Sequence, residues 1–341
     1  MADQTKRKRS GWEAFSKTGV IMAAIYILLI ILGFTVRLLF FSKQKEHANM
    51  NQNQIVSAQE GSQATTASGS SEATSQHILN LTPETNFVAV LEGNHVHVNV
   101  SMETTGAASA DDLTWSSADE SIATVDATGT ITGVSKGSTQ VTVSAKDRDE
   151  VCATIPVTVR HLETKDGCTY VDGILIVNKT YSLPESYDPG MYDEVQQAFD
   201  QLSADAAKEG LDIYIGSSYR DYAYQVEVYQ SYVDLYGWET ADTFSARPGY
   251  SEHQSGYTID CNTIDDAFGE TPESDWLAKH CAEYGFIVRF PEGKEAITGY
   301  KYEPWHIRYV GKDVAKEITA LGVTLEEYLG VNSAYTSDWQ G

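Results

Sequence analysis

The chain has 341 residues, 42% hydrophobic and 11% aromatic, a composition that suits folded domains rather than a disordered or fibrous chain. Its 24 Lys and Arg stand against 48 Asp and Glu, a formal net charge of -24 at pH 7. Phosphate backbones are bound by clustered Lys and Arg, so this balance excludes nucleic acid as a partner.

Lys6, Arg7, Lys8, Arg9 and Lys17 concentrate basic charge in residues 1–17, which read as a cytoplasmic tail under the positive-inside rule. Thr18 to Val36 then runs for 19 residues without a charged side chain. As a helix it would be roughly 28 Å long, near the hydrocarbon thickness of a bilayer. Residues 18–41 are therefore expected to form one N-terminal transmembrane helix in the plasma membrane, with everything after it outside. A cleaved signal peptide is the alternative, but Arg37 to Lys45 offers no small-x-small cleavage site. Residues 42–81, rich in Ser, Gln, Thr, Ala and Asn, bury too little apolar surface to order themselves and read as a disordered tether.

From 82 to 160 the pattern turns to short alternating runs: Val88 to Val90, His95 to Val98, Ile122 to Val125 and Val141 to Val143, with Gly between them. Period two without helical periodicity predicts a small all-β sandwich. His95 and His97 share a strand face, but with no third ligand in view they read as incidental. Residues 170–330 mix element types. A helical stripe of Val195, Ala198, Phe199, Leu202 and Ala206 predicts a helix over 191–210, followed by a strand over 211–215. Further helices are expected over 221–236 and 276–284, and a strand over 285–290. Without regular βαβ repetition this is an α+β domain; residues 331–341 are left as a tail. Cys152, Cys168, Cys261 and Cys281 show no metal-type spacing and fit either two disulfides or free buried thiols.

Chemistry concentrates in three segments: Ser217-Ser218-Tyr219-Arg220-Asp221, Ser251-Glu252-His253 through Asp260, and Glu303-Pro304-Trp305-His306. A catalytic zinc takes three His or carboxylate ligands and leaves one position open. His253, Asp260 and His306 supply such a set, and Glu303, three residues before His306, could take a proton from water activated there. Each piece alone recurs by chance.

Taken together, the segments resemble the zinc D,D-carboxypeptidases of the VanY type, which pair an SxHxxGxxxD segment with a later ExxH. The likeness extends through Tyr284 to Pro291, Thr298-Gly299, Tyr302 to Gly311 and Leu325 to Tyr328, in order and spacing. The run Leu113 to Ser117, Ile122 to Val125, Gly129 to Val134 and Gly137 resembles the group 2 bacterial Ig-like domain, whose members are commonly spacers or adhesive units. The first resemblance implies Zn2+ on His253, Asp260 and His306, with Glu303 as general base and later proton donor. It implies that Arg220 stabilises the carbonyl oxygen or holds the substrate's terminal carboxylate, either of which suits a guanidinium. Gln225 and Ser251 match positions that line the substrate pocket. One departure is Tyr257-Thr258-Ile259, where a small or apolar residue is common beside the Asp ligand; no disturbance of the metal is expected from it. The implied substrates are peptidoglycan stem peptides, which would lose their C-terminal D-Ala.

Among the remaining residues, His280 reads as a surface or capping histidine. Arg247, Arg289 and Arg308 read as ion-pair partners, at least one of them lining the pocket, and Trp305 as core, pocket wall or both. A serine D,D-peptidase is excluded. Its SxxK occurs only at Ser42 to Lys45, its KTG only at Lys17 to Gly19, and SDN and HExxH are absent. Two alternatives stay open: an L,D-carboxypeptidase acting on tetrapeptide stems, which part of Tyr219 to Tyr232 resembles, and a wall-binding or adhesive protein without activity.

Overall fold

The structure, a computed structural model, describes residues 77–339. The expected span at 18–41 lies outside them; among the described residues no helix is long and apolar enough to cross a membrane. The first part is all-β: β1 (Ile78–Pro83), β2 (Val88–Leu91), β3 (His95–His97), β4 (Val100–Thr104), β5 (Leu113–Ser117), β6 (Ala123–Val125), β7 (Thr130–Gly133), β8 (Gly137–Ala145) and β9 (Arg148–Arg160). They pair as β1-β4, β2-β9-β8-β5 and β3-β7-β6. Strict alternation drives the longest pairing: Val141, Val143 and Ala145 of β8 are buried while Thr142 and Ser144 are not, and Val141 sits opposite Ile155 of β9. Val141 shares one core cluster with Val88, Val90, Val98, Ala123, Ile131, Ile155, Val157 and Val159, and Val143 and Ala145 belong to a second.

Order begins earlier than the tether expected over 42–81 allows. Ile78 and Leu81 of β1 are buried against Leu113, Val143 and Val151, because β1 finds a partner in β4 some twenty residues later. Three apolar residues, Ile78, Leu79 and Leu81, in a polar stretch carry no visible period, so this strand depends on its distant neighbour.

A meander of β10 (Leu162–Lys165), β11 (Cys168–Val171) and β12 (Ile174–Ile176) leads into the α+β part. There follow α1 (Asp193–Lys208), β13 (Ile215–Ser217), α2 (Tyr222–Tyr236), α3 (Trp238–Ala241), β14 (Thr258–Cys261), α4 (Pro272–His280), β15 (Phe286–Phe290), α5 (Glu295–Thr298), β16 (Glu303–Tyr309), α6 (Lys312–Leu321) and α7 (Leu325–Leu329). The four strands form an antiparallel sheet in the order β13-β14-β16-β15. Ile259 and Ile307 pair across β14 and β16 and pack with Val195, Phe199, Leu202 and Ala206 of α1. Side chains alternate along a strand, so their neighbours Asp260 and His306, also paired, face the other side.

Several expected boundaries shift. The strand placed at 211–215 begins only at Ile215, since Ile213 turns into the core ahead of it and β13 pairs β14 irregularly. The helix placed at 276–284 starts at Pro272, capped by the Thr271 side chain, and tightens into a 3-10 turn over Cys281–Tyr284. The C-terminal residues are no loose tail as far as Trp339. Asn178 Nδ2 donates to the Asn332 carbonyl at 3.0 Å, the Arg247 guanidinium lies 3.9 Å over the Tyr335 ring, and Trp339 packs edge-on against Tyr229. All four cysteines are free thiols.

The β part and the α+β part belong to one compact unit. Leu91 is buried among Ala315, Ile318, Leu325, Tyr328 and Leu329, and Phe87 stacks on Tyr328. Gly330, at φ +69°, is required at this junction, because a Cβ there would lie 2.9 Å from the Ala89 backbone. Arg160 closes the contact: its Nε donates to the Tyr328 carbonyl at 2.6 Å, its Nη1 pairs with Asp172 at 3.1 Å, and its guanidinium covers the Tyr328 ring at 4.0 Å. Arg160→Ala should cost about 2 kcal/mol, the usual loss for charged hydrogen bonds in a buried setting. Thermal or urea unfolding checks this; an unchanged midpoint would show that the two parts do not stabilise each other through this residue.

Candidate metal centre and active site

Strand register brings the first two donors together, since Asp260 of β14 lies directly opposite His306 of β16. The third arrives on a 3-10 turn, Glu252–Ser255, closed by Gly256 at φ +79°, where a Cβ would collide with the Gly190 carbonyl oxygen. His253 Nε2 lies 3.1 Å from Asp260 Oδ2, and His306 Nδ1 lies 3.1 Å from Asp260 Oδ1. Glu303 Oε2 is 3.5 Å from His306 Nδ1. The donor atoms of His253, Asp260 and His306 all fall within 4.8 Å of one another, and all three residues are buried.

This arrangement fits a divalent cation on physical grounds. His253 Nδ1 faces the Ser218 carbonyl at 2.6 Å, which can only accept, so the ring proton is on Nδ1 and the Nε2 lone pair points at a carboxylate oxygen. Burial pushes the His253 pKa down, which keeps that ring neutral. Two electron-rich atoms 3.1 Å apart repel unless a positive charge joins them. Asp260 Oδ1, close to His306 but out of line for a hydrogen bond, is buried without a partner. Burial opposes charge on His306, yet Asp260, Glu252 and Glu303 outweigh it and push its pKa to about 9, so a proton is drawn to the place a metal would take. Glu303 differs from Asp260: burial pushes its carboxyl up to about 7, with His306 offsetting only part of the effect.

These groups line a pocket of about 200 Å³ together with Arg220, Gln225 and Ser251. Arg220 Nη1 donates to Gln225 Oε1 at 2.7 Å, and Gln225, itself buried, donates to the Ala246 carbonyl at 2.6 Å. Gln225 thus fixes the guanidinium as well as lining the pocket. Phe244, Tyr232 and Phe290 add aromatic wall, and Trp305 is both buried core and lining. The expectation that one of Arg247, Arg289 and Arg308 lines the pocket does not hold. Arg247 is turned to Asp242 and Tyr335, while Arg289 and Arg308 spend their donors on Glu252, Glu326 and the Leu175 carbonyl. His280 stacks on Trp276 and pairs with Glu283 at the surface.

Sequence reasoning overlooked two carboxylates. Glu252 Oε1 accepts from Arg289 Nε at 2.8 Å and Arg308 Nη1 at 2.9 Å, and Glu326 receives the rest of the Arg289 fork. Burial would raise the Glu252 carboxyl, but Arg289 and Arg308 more than offset it and hold it well below the usual range. The only sequence signal was its place between Ser251 and His253; its partners lie 37 and 56 residues further on.

The family model described as D-alanyl-D-alanine carboxypeptidase, VanY, matches residues 189–312, and the model for the group 2 bacterial Ig-like domain matches residues 79–155. YodJ of Bacillus subtilis is 38% identical over 180 residues, covering 46% of this chain and 66% of that protein, just under two thirds. The bifunctional D-Ala-D-Ala dipeptidase and D-Ala-D-Ala carboxypeptidase VanXYC of Enterococcus gallinarum is 32% identical over 174 residues, which cover 45% of this chain and 91% of that one. The solved structure of the L,D-carboxypeptidase DacB from Streptococcus pneumoniae is 39% identical, covers 52% of this chain and 100% of its own, and has a TM-score of 0.48.

Metal binding to such a site must displace the proton from His306. Because that group titrates near 9 and is protonated at neutral pH, Zn2+ uptake at pH 7 should release at least one proton, and affinity should fall as pH falls. Calorimetry in two buffers of different ionisation enthalpy reads this directly. Identical heats in both would mean that no proton leaves.

Proposed function

The chain belongs to the VanY D-alanyl-D-alanine carboxypeptidase family, and we propose that it is a zinc-dependent carboxypeptidase that removes the C-terminal D-Ala from peptidoglycan stem peptides. The observation that carries this reading is the coincidence, in one pocket, of a two-His, one-Asp donor set with a separate raised carboxylate and a held guanidinium. Zinc held by His253, Asp260 and His306 would act as a Lewis acid, making water acidic near neutrality and polarising a carbonyl.

The remaining work falls to the chain's own residues. Glu303, whose carboxyl is raised by burial in the metal-free site, takes a proton from the attacking water and returns it to the departing amine. Arg220, oriented by Gln225, meets either the carbonyl oxygen as negative charge develops or the terminal carboxylate of the peptide. Ser251, buried beside His253, faces the pocket and supplies a hydroxyl toward the substrate backbone. The small pocket suits the end of a peptide rather than its length.

The D,D specificity is the reading we commit to, because both the matching family model and VanXYC carry D-Ala-D-Ala activity in their names. Placement outside the cell on one membrane helix completes the proposal and rests on the apolar run Thr18 to Val36 behind Lys6 to Arg9.

Defined muropeptides incubated with the zinc-loaded chain, followed by mass spectrometry, test this. The pentapeptide stem should lose one D-Ala, and chelator should abolish the loss. Cleavage of the tetrapeptide alone would make the protein an L,D-carboxypeptidase with the same machinery, and no cleavage of either would remove the enzymatic reading. Glu303→Gln should lower kcat by about 100-fold or more while zinc stays bound. Arg220→Ala should lower kcat/KM by about 100-fold, as for loss of one oxyanion donor. Near-normal rates in either variant would reassign its role.

A further inference from the structure

Two buried polar atoms in this molecule face each other without a hydrogen-bond partner: Glu252 Oε2 and His306 Nε2, 3.7 Å apart. Asp260 Oδ1, against the other nitrogen of the same ring, also lacks a partner, whereas the charged groups on the Glu252 side are bonded. Glu252 Oε1 is held by Arg289 and Arg308, the remaining Arg289 donors reach Glu326, and Arg308 Nη2 reaches the Leu175 carbonyl. On the other side of the His306 ring, Nδ1 faces Asp260 and Glu303. The Phe290 ring, 4.8 Å from the imidazole, offers no lone pair.

We propose that Glu252 is a positioning residue for the metal ligand His306: its free oxygen accepts the Nε2 proton and so directs the Nδ1 lone pair at the metal. The inference rests on the zinc reading above and goes beyond it by assigning a role to a residue outside the ligand set. A neutral imidazole carries one proton, and coordination through Nδ1 requires that proton on Nε2, where it is buried and needs an acceptor. A shift of about 0.9 Å brings the 3.7 Å separation to ordinary hydrogen-bond length. Arg289 and Arg308 keep the carboxylate ionised and fixed in place, so that Oε2 has one direction to face. The link is a carboxylate–histidine–metal relay whose carboxylate comes from the residue preceding another ligand, His253. One turn therefore serves two ligands.

The test uses the full chain and two measurements. In nitrogen-15 NMR of the zinc-loaded wild-type protein, His306 should show a protonated, slowly exchanging Nε2 and a metal-bound Nδ1; the opposite tautomer would overturn the proposal without any mutation. In competition with a chelating indicator, Glu252→Gln should bind Zn2+ about 10- to 100-fold more weakly than wild type. Arg160→Ala, which loosens the junction with the Ig-like part and removes no bond to Glu252 or His306, should keep wild-type zinc affinity while lowering the unfolding midpoint, and so separates a specific effect from general destabilisation. Wild-type zinc affinity in folded Glu252→Gln would refute the role; if that variant does not fold, the tautomer decides. A wild-type chain that binds no zinc at all would instead bring down the functional reading on which this stands.

Discussion

A carboxylate buried between two guanidinium groups organises this molecule. Glu252, Glu326, Arg289 and Arg308 are all 5% exposed or less, and their formal charges cancel. Burying four ions is costly, and such a set persists only when geometry and hydrogen bonding are nearly complete. Here they are: Arg289 bridges both carboxylates, and Arg308 reaches Glu252 and two backbone carbonyls. The network ties the turn before β14 to strands β15 and β16 and to α7. These pieces come from four separate stretches of sequence, and two of them carry the proposed ligands His253 and His306. Losing one partner would strand a charge beside the His253, Asp260 and His306 cluster, so the fold and the site are held by the same contacts.

The same helix α7 that carries Glu326 receives the β part of the chain through Phe87, Leu91 and Arg160. The Ig-like domain is therefore packed on the element that backs the site, rather than strung beside it. Its burial of Leu91 and of the Tyr328 face extends the core of the α+β part. In a chain of this charge, the concentration of paired Arg and Glu in the interior leaves the acidic excess on the surface.

What the sequence made legible divides along physical lines. The helix of Val195, Phe199, Leu202 and Ala206 was readable because one apolar stripe dictates one buried face. The α2 helix was readable because Asp221 caps it and Gly237 ends it. His253, Asp260, Glu303 and His306 were proposed from donor chemistry and the family resemblance; strand register sets Asp260 opposite His306, and a 3-10 turn brings His253 to them. Strand β1, the docked C-terminal residues and the Glu252 and Glu326 network were not readable, since each depends on partners far along the chain. A glutamate in sequence is by default a solvent residue, and nothing local marked Glu252 as buried. The pocket role expected for one of three arginines failed for the same reason: their acidic partners were invisible until the fold supplied them.

The most direct measurement of the account is a crystal of zinc-soaked protein with anomalous diffraction recorded on both sides of the zinc edge. One strong peak is expected at ~2.0–2.2 Å from His253 Nε2, an Asp260 oxygen and His306 Nδ1, with Glu303 outside the coordination shell. A peak elsewhere, or one bound through Glu303 in place of a histidine or Asp260, would contradict it.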